Sequence, residues 1–219
     1  MKTSKYEQGA IAFADENYQK AMEIMLPLAK EGDIKAQLSV ASMYFSGLGV
    51  KQDYEKAAQW YRYGAEKGHP IAQHSLAMAL FSLENIEEAI EYLLKADQQN
   101  ISFAQSCLGD VFTGAYNIPN HILSKFNFGF YDGLVWYEKA GDGGFSYAYH
   151  RLGDIYAKGE VVTKNEINAL KFYRKAAQEG YSPSQEVLAD AYRNGLFGLP
   201  VDLEQAQYWS KKIQENENA

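Results

Sequence analysis

Apolar and small residues recur along the chain at the three- and four-residue spacing that is typical of amphipathic helices. One recurring element pairs a branched aliphatic residue with alanine or glycine and places a large apolar residue four positions after the aliphatic one. On a helix these side chains share one face, and the small residue forms a notch that lets a neighbouring helix approach. The pairs are Val40-Ala41, Leu76-Ala77, Leu108-Gly109, Leu152-Gly153 and Leu188-Ala189, followed by Tyr44, Leu80, Phe112, Tyr156 and Tyr192.

Residues that tolerate the left-handed conformation mark the predicted helix ends and set a repeat. They are Gly32, Gly68, Asn100, Gly144 and Gly180, at spacings of 36, 32, 44 and 36 residues. Within a repeat, the first helix is expected to end at a glycine and the second to begin after an N-cap residue. The glycines are Gly47, Gly159 and Gly195, and the N-caps are Asp53, Asn165 and Asp202.

This spacing predicts an all-α protein: a solenoid of about six two-helix repeats that occupies residues 1–219 as a single domain. The repeats are expected at about 4–32, 33–68, 69–100, 101–144, 145–180 and 181–216. Two of them depart from the pattern. Repeat 69–100 lacks the glycine loop, and repeat 101–144 holds an inserted loop at 114–131, because its landmark spacing is 44 where two others are 36.

The combined pattern resembles the Sel-one-like repeat family, a relative of the tetratricopeptide repeat. Residues 148–180 match the family best, through Leu152-Gly153-Asp154, Tyr156, Gly159 and Phe172-Tyr173. The resemblance covers almost the whole chain. It implies a right-handed α-α superhelix, adaptor or scaffold work, often in bacteria, and a concave groove lined by the first helix of each repeat.

Composition and charge exclude several classes of partner. The 219 residues carry a net charge of −7, which argues against binding nucleic acid or an anionic membrane through bulk charge. No apolar run is long enough to span a bilayer. The one cysteine, Cys107, cannot form an internal disulfide, and residues 1–13 do not have the pattern of a signal peptide, so a cytoplasmic location is expected.

No constellation of residues predicts catalysis, a metal site or a cofactor. The histidines, which are His69, His74, His121 and His150, show no metal-ligand spacing. Cys107 has no nearby histidine in the sequence, so a packed thiol is expected there. The alternative to a binding protein is a hydrolase that uses Asp154 and His150, or a small-ligand-binding protein that uses polar groups of the groove.

Residues two before the central aliphatic, and two and five after it, are expected to face the groove and bind the partner. The candidates are Leu38, Ser42, Phe45, His74, Met78 and Phe81 in the first half, and Ser106, Asp110, His150, Asp154, Glu186, Asp190 and Arg193 in the second. The groove would then be apolar early and acidic late. The aspartates form either an acidic stripe for a basic partner segment or an ordinary solvated face. The apolar residues form either a partner groove or core.

The inserted loop is rich in aromatic residues, namely Phe126, Phe128, Phe130 and Tyr131. Insertions in repeat proteins often fall on the binding face, which makes these side chains partner-binding candidates. Alternatively, they fold back and fill the space that the insertion creates.

These observations favour a non-catalytic protein–protein interaction module that binds through its groove and aromatic loop. An acidic chain of this size also suits a neutralising partner, such as the immunity protein of a basic bacterial toxin. A third class is a structural homo-oligomer joined through its end repeats.

Overall fold

The computed structural model describes residues 3–217. Within that range the chain forms thirteen α-helices and no strand, which confirms the all-α prediction. The helices of the N-terminal part are α1 Lys5–Ala14, α2 Tyr18–Lys30, α3 Ile34–Ser46, α4 Tyr54–Glu66, α5 Pro70–Ser82 and α6 Ile86–Asp97. Those of the C-terminal part are α7 Ser102–Phe112, α8 Asn120–Leu123, α9 Phe130–Asp142, α10 Ser146–Lys158, α11 Glu166–Gln178, α12 Ser182–Asn194 and α13 Leu203–Glu217.

Contacts between helices divide the chain into two compact units, an N-terminal unit that ends at Ile101 and a C-terminal unit that begins at Ser102. Consecutive helices pack against each other within each unit, and α7 packs against α9 across the insertion. The single stack over residues 1–219 stays a prediction. No helix in the described part of the chain has the length and apolar character needed to cross a membrane.

The landmarks that set the repeat adopt the backbone conformation predicted for them. All five have positive φ angles, which are 96° at Gly32, 81° at Gly68, 58° at Asn100, 87° at Gly144 and 88° at Gly180. The first helices α3, α10 and α12 end at glycines in the left-handed region, as expected. The second helices begin at the predicted caps, where the Asp53, Asn165 and Asp202 carboxyl or amide oxygens accept a backbone N–H three residues later.

The predicted notch on the first helices is confirmed where it is formed by glycine. A Cβ atom added to Gly109 would come within 2.5 Å of the Tyr137 ring, and one added to Gly153 within 2.6 Å of the Tyr173 ring. Each tyrosine lies on the second helix of the same repeat. The missing side chain therefore lets an aromatic ring lie directly on the backbone of the first helix.

A buried glutamine, three residues before the central aliphatic, joins successive repeats. Its Nε2 donates to a carbonyl at the end of the preceding helix: 3.1 Å from Gln37 to Ala29, 3.4 Å from Gln73 to Ala65, and 3.0 Å from Gln185 to Ala177. This contact was not predicted from the sequence, although glutamine recurs there at a fixed register. A buried amide is retained only where its polar atoms find partners, so the glutamines help fix how repeats stack.

The Gln37 side chain lacks one contact that its counterparts make. The Oε1 atoms of Gln73 and Gln185 accept hydrogen bonds from Gln99 and Asn216, at 2.8 and 3.1 Å. Both donors lie fourteen residues after the N-cap of the second helix in their repeat. In repeat 33–68 the residue at that position is Lys67. Gln37 Oε1 is buried and has no hydrogen-bond partner among the described residues.

Lys67→Gln is therefore expected to stabilise the protein. The new amide would reach Gln37 Oε1 as Gln99 reaches Gln73, and a satisfied buried acceptor contributes about 1 kcal/mol to the free energy of unfolding. Urea denaturation measures the gain. Lys67→Ala is the control that removes the lysine without adding a donor, and an equal gain in both variants would contradict the explanation.

The insertion packs partly inward. The ring centroid of Phe128 lies 5.6 Å from that of Phe112 and 4.9 Å from that of Trp136, and Phe130 packs against the core of the C-terminal unit. For these two residues the structure supports the fold-back alternative. Tyr131, in contrast, is 72% exposed.

Candidate functional site

One set of register positions on the first helices forms the principal surface of each unit. Counted from the central aliphatic, these are the positions five, two and one before it and two after it. In the N-terminal unit, six of the eight residues at these positions on α3 and α5 line an open cavity of about 430 Å³. Helix α3 supplies Lys35, Leu38, Ser39 and Ser42, α5 supplies Ile71 and Ser75, and Tyr6, Ala10, Phe13, Met25 and Tyr61 complete the lining.

Small hydroxyl residues keep this cavity open. Tyr61 is buried on α4, and it lines the cavity together with Ser42 and Ser75. Burial raises the pKa of Tyr61 above its usual value, while the hydroxyls of Ser42 and Ser75 oppose the rise. The inner wall therefore stays neutral at physiological pH, and the remaining lining is mostly aromatic and aliphatic.

Two of the six predicted residues of the first half line the cavity, namely Leu38 and Ser42. Phe45 instead packs edge-on against Tyr54, with ring centroids 5.3 Å apart. His74, Met78 and Phe81 are half-buried and lie outside the lining. Four lining residues were not predicted from the sequence, because the positions five and one before the aliphatic were not expected to face the groove. They are Lys35, Ser39, Ile71 and Ser75.

In the C-terminal unit the same positions hold a bonded polar cluster, built from Tyr147, His150, Arg151 and Asp154 on α10 and Asp110 on α7. Asp110 is 8% exposed and accepts hydrogen bonds from Tyr137, at 2.6 Å, and from Tyr147, at 3.4 Å. Arg151 Nε lies 3.6 Å from the same Asp110 oxygen. Side chains of the protein itself thus occupy the surface that is open in the N-terminal unit, and the cavity beside Arg151 measures only about 160 Å³.

The predicted acidic stripe of three equivalent aspartates is corrected by these contacts. Asp110 is interior, and Asp154 accepts a hydrogen bond of 2.8 Å from Tyr173. Tyr137 and Tyr173 each lie on the second helix of their repeat, and each hydroxyl donates to the aspartate on the first helix of the same repeat. In the last repeat serine replaces this tyrosine, and Asp190 is exposed and pairs with Arg193. Ser106, another predicted contact, is 2% exposed, whereas Glu186 lies at the surface.

The buried position of Asp110 makes its ionisation unfavourable. Burial raises the pKa of this carboxyl, and the hydrogen bond from Tyr137 and the charge of Arg151 only partly oppose that rise. The folded state therefore holds the Asp110 proton more tightly than the unfolded state does. Stability from this group increases as the pH falls from its folded-state pKa toward the unfolded value near ~3.9.

Asp110→Asn should reveal this linkage as a pH-dependent difference in stability. Wild type is expected to gain free energy of unfolding relative to the asparagine variant as the pH is lowered from 7 toward ~4, because asparagine cannot take up the proton. Urea denaturation of both proteins at each pH measures the difference. A difference that stays constant or changes in the opposite direction would contradict the assignment.

The hydrolase alternative gains no support from the geometry around His150. Its Nδ1 lies 2.8 Å from Ser184 Oγ, and its Nε2 lies 3.7 Å from Asp154 Oδ1, which is beyond hydrogen-bond distance. Ser184 is 0% exposed, so a substrate carbonyl cannot reach its hydroxyl. Burial also lowers the pKa of His150. These residues resemble a catalytic triad in type but form a packed contact between α10 and α12.

Cys107 has the character of a structural thiol. Burial raises the pKa of Cys107 to about 12, with a smaller contribution from the charge of Asp110. Because the thiolate is the reactive form, this environment opposes nucleophilic chemistry. Within residues 3–217, no group of three or more His, Cys, Asp or Glu side chains is arranged to hold a metal ion.

The paired helices, left-handed landmarks and repeated interhelical contacts define an α-helical repeat protein. Its sequence places it further: the chain belongs to the Sel1 repeat family, whose sequence model matches residues 34–69, 70–100, 133–145, 146–181 and 182–213. Sel1 repeats generally serve as non-enzymatic scaffolds for protein interaction. The resemblance found in the sequence is thereby confirmed.

Similar proteins come from several sources. A crystal structure of a Sel1 repeat protein from Oxalobacter formigenes has a TM-score of 0.78 and 27% identity, over 96% of this chain and 84% of that one. An immunity protein from Pseudomonas aeruginosa shares the fold, with a TM-score of 0.63 and 18% identity, over 96% and 82%. A Sel1-like repeat-containing protein of Acanthamoeba polyphaga mimivirus is 27% identical over 144 residues, which are 66% of this chain and 25% of the viral protein. This chain therefore matches about a quarter of that curated relative. The two solved structures confirm the solenoid fold class.

Proposed function

We propose that the protein is a non-catalytic interaction module and that a partner protein docks at the cavity formed by helices α1 to α5. One observation carries the proposal: register positions that bonded side chains fill in the C-terminal unit border an open cavity in the N-terminal unit, and the lining of that cavity as a whole is largely aromatic and aliphatic. Leu38 and Ser42 are the sequence-predicted residues that this site retains. An open concave surface of aromatic and aliphatic side chains is typical of binding sites.

Further contacts are proposed at two exposed places in the C-terminal unit. Tyr131 lies at the start of α9 and is 72% exposed. Glu186 and Asp190 lie at the surface of α12, where they are proposed to receive a basic segment of the partner. Charges at such positions affect the association rate and specificity more than the affinity.

Site-specific cross-linking tests where the partner binds. A photo-reactive amino acid is placed at Ser39 in the cavity, and in a matched protein at Ser46, which is exposed at the end of α3. After irradiation in lysate of the source organism, the attached protein is identified by mass spectrometry and then purified for binding measurements. A partner cross-linked from Ser39 and not from Ser46 supports the site, whereas cross-linking from neither position refutes it.

Filling the cavity should abolish binding of that purified partner. Ser42→Trp places an indole among Leu38, Tyr61 and Ser75, and we expect the dissociation constant to rise at least tenfold, because the partner loses its buried contact. Ile71→Ser, at a 56% exposed residue on the rim, is a milder variant that leaves the interior unchanged. Isothermal titration calorimetry measures the dissociation constant of the partner for both cavity variants, and Ile167→Ser on α11 is the control. Unchanged affinity in both cavity variants would show that the partner binds outside the cavity.

A narrower proposal makes the partner a bacterial toxin that this protein neutralises in the cytoplasm. The net charge of −7 favours a basic partner, and immunity proteins share the fold. If the cross-linked partner inhibits growth when produced alone, co-production of wild type should restore growth and Ser42→Trp should not. A partner without toxicity would exclude this role and retain the interaction module.

A further inference from the structure

The cavity of the N-terminal unit has one charged residue among the described side chains of its lining. This residue is Lys35, which is exposed on the first turn of α3, with its Nζ 6.0 Å from the centre of the Tyr6 ring. It forms no ion pair with the described part of the chain. Glu7 lies within electrostatic range, but its carboxylate accepts the Ser4 backbone N–H at 2.7 Å and caps α1.

The rest of the cavity suits an apolar side chain. Its volume of about 430 Å³ falls within the ~300–1,000 Å³ that is usual for binding pockets. Phe13, Met25 and Leu38 supply apolar walls, and the polar groups of the lining other than Lys35 are serine and tyrosine hydroxyls. No carboxylate in the described lining would compensate a lysine or arginine brought in by a partner.

We propose that the occupant is an acidic, hydrophobic segment of the partner protein, which inserts one bulky apolar side chain and places a carboxylate beside Lys35. This inference rests on the proposed function and specifies the chemistry of its ligand. The preference is opposite in sign to the one suggested by the net charge of the chain, because the one charged residue in the described lining is a lysine. A partner can satisfy both by presenting a basic segment to the exposed carboxylates of α12, Glu186 and Asp190, and an acidic segment to the cavity.

Two matched peptides test the charge preference. Each is an acetylated, amidated tetrapeptide with a central tryptophan-leucine pair, flanked by glutamates in one peptide and by lysines in the other. Binding is followed by NMR through the methyl signals of Met25 and Ile71 at low salt. We expect the acidic peptide to shift both signals and to bind at least about threefold more tightly than the basic one, since one exposed ion pair contributes about that factor.

Charge reversal at the cavity mouth gives the decisive comparison. Lys35→Glu should reverse the preference, whereas Lys51→Glu, which makes the same charge change at an exposed residue outside the lining, should leave it unchanged. Circular dichroism checks that both variants are folded. Equal affinity of wild type for the two peptides, a preference that survives in Lys35→Glu, or no shift with either peptide would overturn the inference.

The outcomes separate this inference from the function on which it rests. If both peptides bind equally and Ser42→Trp prevents both from binding, the cavity is still a docking site and only the acidic preference is lost. If no protein cross-links from Ser39, the proposed interaction site fails whatever the peptides do.

Discussion

The Gly153→Ala variant is expected to lose about 2–3 kcal/mol of unfolding free energy, one of the two largest effects that the structure predicts. The added methyl group would lie 2.6 Å from two carbon atoms of the Tyr173 ring. That ring cannot easily move, because its hydroxyl donates to Asp154 at 2.8 Å and its body is packed in the core. Overpacking of this kind typically costs 1–3 kcal/mol.

A matched glycine and a second substitution make the test specific. Gly129→Ala is the control, because Gly129 has a negative φ angle and no atom lies within 4 Å of its added Cβ. In a Tyr173→Leu background the same Gly153→Ala change should cost less, since the ring that it meets is gone. Urea denaturation of wild type, the two single variants at Gly153 and Tyr173 and the double variant measures this coupling. Equal costs in both backgrounds would show that the ring is not the source of the strain.

The second large effect is expected from Arg151→Met, which should reduce the free energy of unfolding by about 2 kcal/mol at pH 7. Arg151 lies 3.6 Å from Asp110 and 3.8 Å from Asp154, and its Nε also donates to the Tyr137 hydroxyl at 3.4 Å. Methionine fills a similar volume without the charge. Asp110 would then be a buried carboxylate without its compensating cation, which is the costly arrangement.

Neutralising Asp110 should recover most of that loss. In the double variant Arg151→Met, Asp110→Asn, no buried charge is left, so the second substitution is expected to stabilise the first. Lower pH should act in the same direction, because Asp110 already has a raised pKa and would take up a proton more readily without Arg151. If Arg151→Met costs as much at pH 5 as at pH 7, the penalty comes from lost packing and not from the carboxylate.

The same register positions are filled by hydrogen-bonded side chains in the C-terminal unit and border an open cavity in the N-terminal unit. In the C-terminal unit, tyrosines and Arg151 satisfy Asp110 and Asp154 and close the surface. In the N-terminal unit, Ser42 stands where those aspartates stand, and Ser39 and Ser75 stand where Arg151 does. Smaller side chains at equivalent positions leave a space that the fold itself does not fill, which is why the binding proposal centres on this unit.

Local order along the chain was enough to predict the helices, their ends and the repeat. Capping by Asp53 and the left-handed turns at Gly32 and Asn100 involve residues a few positions apart, so their chemistry can be predicted from local order. The notch at Gly109 was likewise predictable, because the pairing of a small residue with an aliphatic one recurs at fixed spacing. These features also carried the family resemblance.

Tertiary structure alone decided which of the repeated positions are open. Asp110 and Tyr137 are 27 residues apart, and their hydrogen bond turned a predicted groove carboxylate into an interior one. The cavity likewise depends on α1, α3 and α5 meeting around Tyr61, and Phe128 turns inward because Phe112 and Trp136 offer it a surface. Periodicity gives the face of a helix on which a residue lies. Whether that face is covered depends on the size and hydrogen-bonding capacity of side chains from helices distant in sequence, and only the packed structure brings those side chains together.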